Sequence, residues 1–84
     1  MKINNSLDWP KVRGELSTDI SKLNYDPSLR LMLKNIDTMV SELSKIEVEA
    51  RRTKSTYLTA AKLDKINESI DALDKFVMLG ILLS

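Results

Sequence analysis

DPSLRLMLKNIDTMVSELSKIEVEARRTKSTYLTAAKLDKINESIDALDKFVMLGILLS, residues 26–84, is the stretch that decides the fold. From Ser28 to Leu79 it contains neither glycine nor proline, the residues that most strongly interrupt a helix, so it reads as helix for almost its whole length. The strongest apolar positions are Leu29, Met32, Ile36, Met39, Leu43, Ile46 and Ala50, which alternate spacings of three and four like the a and d positions of a heptad. Leu63, Ile66, Ile70, Leu73, Val77 and Gly80 follow the same rule. The two stripes are out of phase. Carried on through Thr53, Tyr57 and Ala60, the first lands on Asp64 and Asn67, one residue past Leu63 and Ile66.

Folding the segment back on itself removes that slip. Reflected about the bond between Lys54 and Ser55, Ile46 faces Leu63, Leu43 faces Ile66, Met39 faces Ile70, Ile36 faces Leu73, Met32 faces Val77 and Leu29 faces Gly80. The pattern therefore predicts an all-α fold, a long antiparallel, coiled-coil-like helical hairpin with arms over residues 27–53 and 56–82. The rival is one continuous helix of ~80 Å, which would absorb the slip as a stutter. The weak joint of the hairpin is its tip, Arg51-Arg52-Thr53-Lys54-Ser55-Thr56, where no glycine, proline or asparagine forces a turn.

Upstream, residues 1–8 read as an extended N-terminal arm. Pro10 suits the first turn of a helix, and Trp9, Val12, Leu16, Ile20 and Leu23 form one apolar stripe, so a shorter helix over residues 10–24 is expected to pack on the hairpin. Asn24-Tyr25-Asp26-Pro27 separates the two helical parts, with Asp26 placed to cap the second helix and Pro27 at its first position. The acid precedes the base in Glu47–Arg51, Glu49–Arg52 and Asp71–Lys75, at spacings that pair on a solvated helix face.

The 84 residues make one small domain, residues 1–84, with 43% hydrophobic and 30% charged side chains, a balance that separates it from disordered chains. Histidine and cysteine are both absent, which removes the commonest general base, the thiolate nucleophile and the commonest transition-metal ligands. Asp64, Glu68, Asp71 and Asp74 share a face but lack the histidines of a di-metal bundle, and they read as a solvated face. No enzymatic activity, no cofactor and no metal site are expected. A net charge of +1 argues against broad capture of nucleic acid, leaving only a local basic contact at the tip through Arg51, Arg52 and Lys54. The longest apolar run, residues 76–83, falls far short of the ~20 residues that span a bilayer, and no secretory signal opens the chain, so a soluble protein is expected.

That run is also the strongest pointer to a partner. FVMLGILL is apolar on every face, and a surface helix buries only one. Phe76, Leu79, Ile81, Leu82 and Leu83 are therefore expected to contact another protein or a second copy of the chain. The reading is a structural or assembly subunit of a larger complex such as a virion or a secretion apparatus; the alternative is a small regulator, inhibitor or chaperone that grips one partner through a helical groove. A short helix, an Asp-Pro break and a hairpin with an apolar C-terminus resemble the layout of type III secretion needle subunits. The arms here are longer, and the resemblance carries no residue assignments.

Overall fold

The computed structural model describes residues 1–23, 27–54 and 56–83. In these, a short 3-10 turn over Ser6–Asp8 leads into α1 (Trp9–Ser21), followed by α2 (Pro27–Thr53) and α3 (Tyr57–Leu83). The molecule measures 48 × 18 × 15 Å, close to the ~40 Å that 27 helical residues span, so each arm runs nearly its full length. α2 and α3 pack as an antiparallel hairpin, and α1 lies against both. Cross-hairpin contacts fix the direction: Lys62 Nζ lies 2.6 Å from Glu42 Oε2, and the Ser69 hydroxyl sits 4.0 Å from Met39 Sδ, one residue from the Ile70 expected opposite it.

Nothing in the tip sequence demands a turn, yet the chain makes one. Lys54 takes a left-handed backbone (φ 56°) just past the end of α2 and is the one non-glycine residue with positive φ among those described. This is the position at which helices usually place glycine or asparagine, because a Cβ there crowds the following carbonyl. Arg51 and Arg52 occupy the last turn of α2, where positive charge offsets the unpaired carbonyls. The Ala60 N–H to Thr56 O bond, 3.0 Å, opens α3.

The core departs from the two-helix pattern. α2 buries Leu29, Leu33, Ile36, Val40 and Leu43, whereas Met32, Met39 and Leu63 are only partly buried beside the core. Leu33 and Val40 lie off the expected stripe. They are buried because α2 meets α3 on one side and α1 with the 3-10 turn on the other, so its apolar face is wider than a coiled-coil seam. α3 contributes Ile66, Ile70, Leu73 and Val77, and α1 contributes Trp9, Val12, Leu16 and Ile20.

α1 runs antiparallel to α2. Near its start, the Trp9 indole N–H donates to Asp37 Oδ1 at 2.7 Å, and Arg13 Nε donates to both Asp37 oxygens at 2.8 and 3.0 Å. The hydrogen bond to Asp37, and then its charge, push the Arg13 guanidinium still higher than its ordinary value. α1 ends at Ser21, short of the expected residue 24, closed by bonds from Lys22 N–H to Asp19 O and Leu23 N–H to Ile20 O. The last apolar side chain of its stripe, Leu23, lies just past the helix and over Gly80. A Cβ at Gly80 would stand 3.0 Å from Leu23 Cδ1, so the glycine makes room for α1 rather than for Leu29. The Asn24–Asp26 boundary and its expected Asp26 cap lie outside the described residues.

The amino-terminal arm is not a loose extension. Ile3 is completely buried, and the chain closes into the 3-10 turn with Asn5 as its cap: the Leu7 N–H donates to Asn5 Oδ1 at 2.9 Å. Asp8 accepts from the Asn4 N–H at 2.8 Å instead of capping α1. Glu47 likewise turns from its expected helical partner Arg51 and accepts from the N–H and hydroxyl of Ser6, at 2.8 and 3.2 Å. A backbone donor in a part-buried position outweighs a solvated ion pair, which contributes only a few tenths of a kcal/mol. The Glu49–Arg52 pair forms at 2.8 Å as its spacing suggests.

Candidate interaction surface

The carboxyl end of α3 carries the largest concentration of exposed apolar side chains. Phe76, Leu79 and Ile81 are 56%, 52% and 40% exposed, and Leu82 and Leu83 nearly 80%. Met78, at 57%, joins them and was not singled out in the sequence. Only Val77 and Leu73 of this end are sealed in the core. The cause is geometric. α1 covers one side of the hairpin's open end, and the 3.6-residue period turns the remaining side chains away from it.

Those side chains divide between two flanks. Phe76, Leu79 and Leu83, spaced by three and four, share one face of α3 with Ala72. Ala72 lines a shallow groove of 200 Å³ with Met32, Asn35, Ile36, Met39 and Ser69. Met78 and Ile81 share the face nearly opposite, and Leu82, three residues from Leu79 and four from Met78, lies on the outer side between the two. The groove is apolar apart from Asn35 and Ser69, and two of its walls are methionines, whose flexible thioethers adapt to varied shapes.

The opposite end of the rod mixes exposed apolar side chains, Val48, Tyr57 and Leu58, with charged ones. Glu42 and Lys62 bridge the arms, and the hydrogen bond and charge of Lys62, with a smaller contribution from Lys45, hold the Glu42 carboxyl below its ordinary value. At the tip Arg52 pairs with Glu49, while Arg51 and Lys54 line an open 350 Å³ cleft with Glu47, Ala50, Thr56 and Thr59. The Thr59 hydroxyl is buried there without a hydrogen-bond partner. The three basic residues thus do not converge on one point, and a carboxylate shares the cleft. Among the described residues no group of three or more carboxylates could hold a metal ion, and no helix is long and apolar enough to cross a membrane.

Two residues at the centre of the structure escape a reading of periodicity. Asn67 is the only buried polar residue among those described, and its amide holds Ile3 on both sides: Oδ1 accepts from the Ile3 N–H at 2.8 Å, and Nδ2 donates to the Ile3 carbonyl at 2.9 Å. The signal was present in Asn67 itself, which falls between Ile66 and Ile70 beside the core stripe.

Comparison with known proteins finds no matching family model, no similar curated sequence and no similar solved structure. The likeness to secretion needle subunits therefore rests on the order of elements alone.

Proposed function

We propose that this chain is a non-enzymatic helical subunit of a larger assembly, of the kind found in virions or secretion machinery, and that it associates through the apolar end of α3. The observation that supports this most directly is the exposure of Phe76, Leu79, Ile81, Leu82 and Leu83 at one end of an otherwise solvated rod. A monomer gains nothing from holding such a cluster in water, whereas burying a leucine or phenylalanine side chain contributes about 1.5–3 kcal/mol, enough for three or four to anchor an interface. The competing use is a regulator or chaperone that seats one partner helix in the groove beside Met32, Met39 and Ala72, and the methionine walls are the feature that favours it.

Replacing Leu79 and Leu82 together with aspartate tests the first reading. Sedimentation equilibrium is expected to show an oligomer for the parent and a monomer for the variant, with helical circular dichroism largely retained. A parent that stays monomeric at all concentrations counts against a self-assembling subunit, and a variant that unfolds assigns these side chains to the chain's own core.

A further inference from the structure

We propose that the cleft holding Ile3 is a binding site for an extended peptide segment, and that the chain's own N-terminal arm is a releasable strap occupying it. The polar groups of the site come from the hairpin, while the apolar core around Ile3 includes residues of α1. Asn67 projects from α3 among Ile66 and Ile70, and Glu47 stands on α2 beyond Leu43. Asn67 reads only backbone: its amide accepts from the N–H and donates to the carbonyl of one residue, at 2.8 and 2.9 Å. That pairing is what a neighbouring strand would offer, so it is indifferent to side-chain identity. Selectivity comes from the apolar pocket that buries Ile3 completely and from Glu47, whose two oxygens take the N–H and hydroxyl of Ser6. The fitting partner is a segment with an aliphatic side chain on extended backbone and, three residues later, a serine or threonine that opens a turn.

The arm's hydrogen bonds to the hairpin are confined to those points, and its remaining residues border α1. Met1, Lys2, Asn4, Asn5 and Leu7 are exposed, and no hydrogen-bond ladder joins residues 1–5 to the helices. Letting go leaves the core stripes of the hairpin in place but exposes the apolar surface that Ile3 covered and returns the Asn67 amide to water, and re-covering that surface favours recapture of the arm or of a similar segment. This site lies on a different part of the hairpin from the C-terminal cluster, and its failure leaves the assembly reading untouched.

Two measurements on the full chain test it. By native-state hydrogen exchange, the Ile3 amide is expected to exchange at least about tenfold faster than the core amide of Ile70, because the strap opens without global unfolding. In the second, an Ile3→Asp chain, whose arm no longer fits, is titrated with a fluorescent peptide copying residues 1–7. Saturable binding at least about tenfold tighter than to the parent is expected, since the parent's site is already occupied. Binding should be absent in Ile3→Asp/Asn67→Ala and for a peptide carrying aspartate at its third position. Exchange of Ile3 and Ile70 at one common rate overturns the proposal, even if Ile3→Asp fails to fold. So does a folded Ile3→Asp chain that ignores the peptide.

Discussion

Asn67→Ala is the substitution whose cost the structure bounds most tightly. It removes both bonds to Ile3 and leaves that residue's N–H and carbonyl buried without partners, for which the loss runs to ~1–3 kcal/mol per group. Full payment is avoidable, however, because the arm can swing into water. Holding the arm gains ~1.5–3 kcal/mol from Ile3 burial. The two amide bonds add ~1 kcal/mol each, and the charge-assisted bonding of Ser6 to Glu47 adds ~1.5–3. Against this stands the ordering of residues 1–5, at ~1–2 kcal/mol per residue. The two sides nearly cancel, so the arm contributes only a few kcal/mol, and no single change within it costs more than its release.

Asn67→Ala and Ile3→Ala are therefore each expected to lower unfolding stability by ~2 kcal/mol, within the roughly 4–13 kcal/mol expected of a domain this size. The double variant should lose ~2–3 kcal/mol rather than ~4, since residues sharing one attachment couple by up to a few kcal/mol. Urea denaturation of the four chains measures this. Additive losses would show that Asn67 stabilises the hairpin independently of the arm and would refute the strap.

Lys54→Gly is expected to raise stability by about 0.5–1 kcal/mol in the same assay, because the left-handed turn costs a non-glycine residue ~1–2 kcal/mol and the greater freedom of unfolded glycine returns part of it. A loss would mean that the Lys54 side chain anchors the tip. The Glu42 carboxyl, lowered by Lys62, stabilises the fold above its unfolded titration range, and that contribution fades as the pH falls through the lower folded value. Lys62→Met should flatten this acid limb only slightly, since the pair is solvent-exposed, and an unchanged pH profile would show that the bridge has no role in solution.

The hairpin was legible because each arm carries its own heptad phase, and only reversal brings Leu43 to Ile66 and Ile36 to Leu73. A third element was legible as a helix from its Trp9-to-Leu23 stripe, but not as the reason Leu33 and Val40 go inside. Periodicity within α2 reports how many faces are apolar, not which neighbour takes which face. Ile3 was illegible for a different physical reason: a lone apolar residue in a polar arm has no period, and its burial depends on an amide 64 positions away. The turn at Lys54 shows the limit of turn chemistry, since two helices with matching stripes over their length outweigh one strained residue.

The exposed tail bears on whether the assembly is closed or open. Phe76, Leu79 and Leu83 lie on one flank of α3, Met78 and Ile81 on the other, with the core residues Val77 and Leu73 between them. A regulator that grips one partner needs one such flank, whereas a subunit that repeats needs two. Two non-equivalent flanks in self-contact form a heterologous interface, which closes into a ring or continues as a filament depending on the rotation between copies. On the assembly reading, Leu79→Asp and Met78→Asp taken singly should each block a different half of the repeating contact. Either alone should then stop growth, and mixing the two variants should restore one productive junction and yield a discrete dimer by sedimentation velocity. If the single variants assemble normally, or if mixing them restores nothing, the flanks do not act as complementary halves and the repeating-subunit reading loses its geometric support.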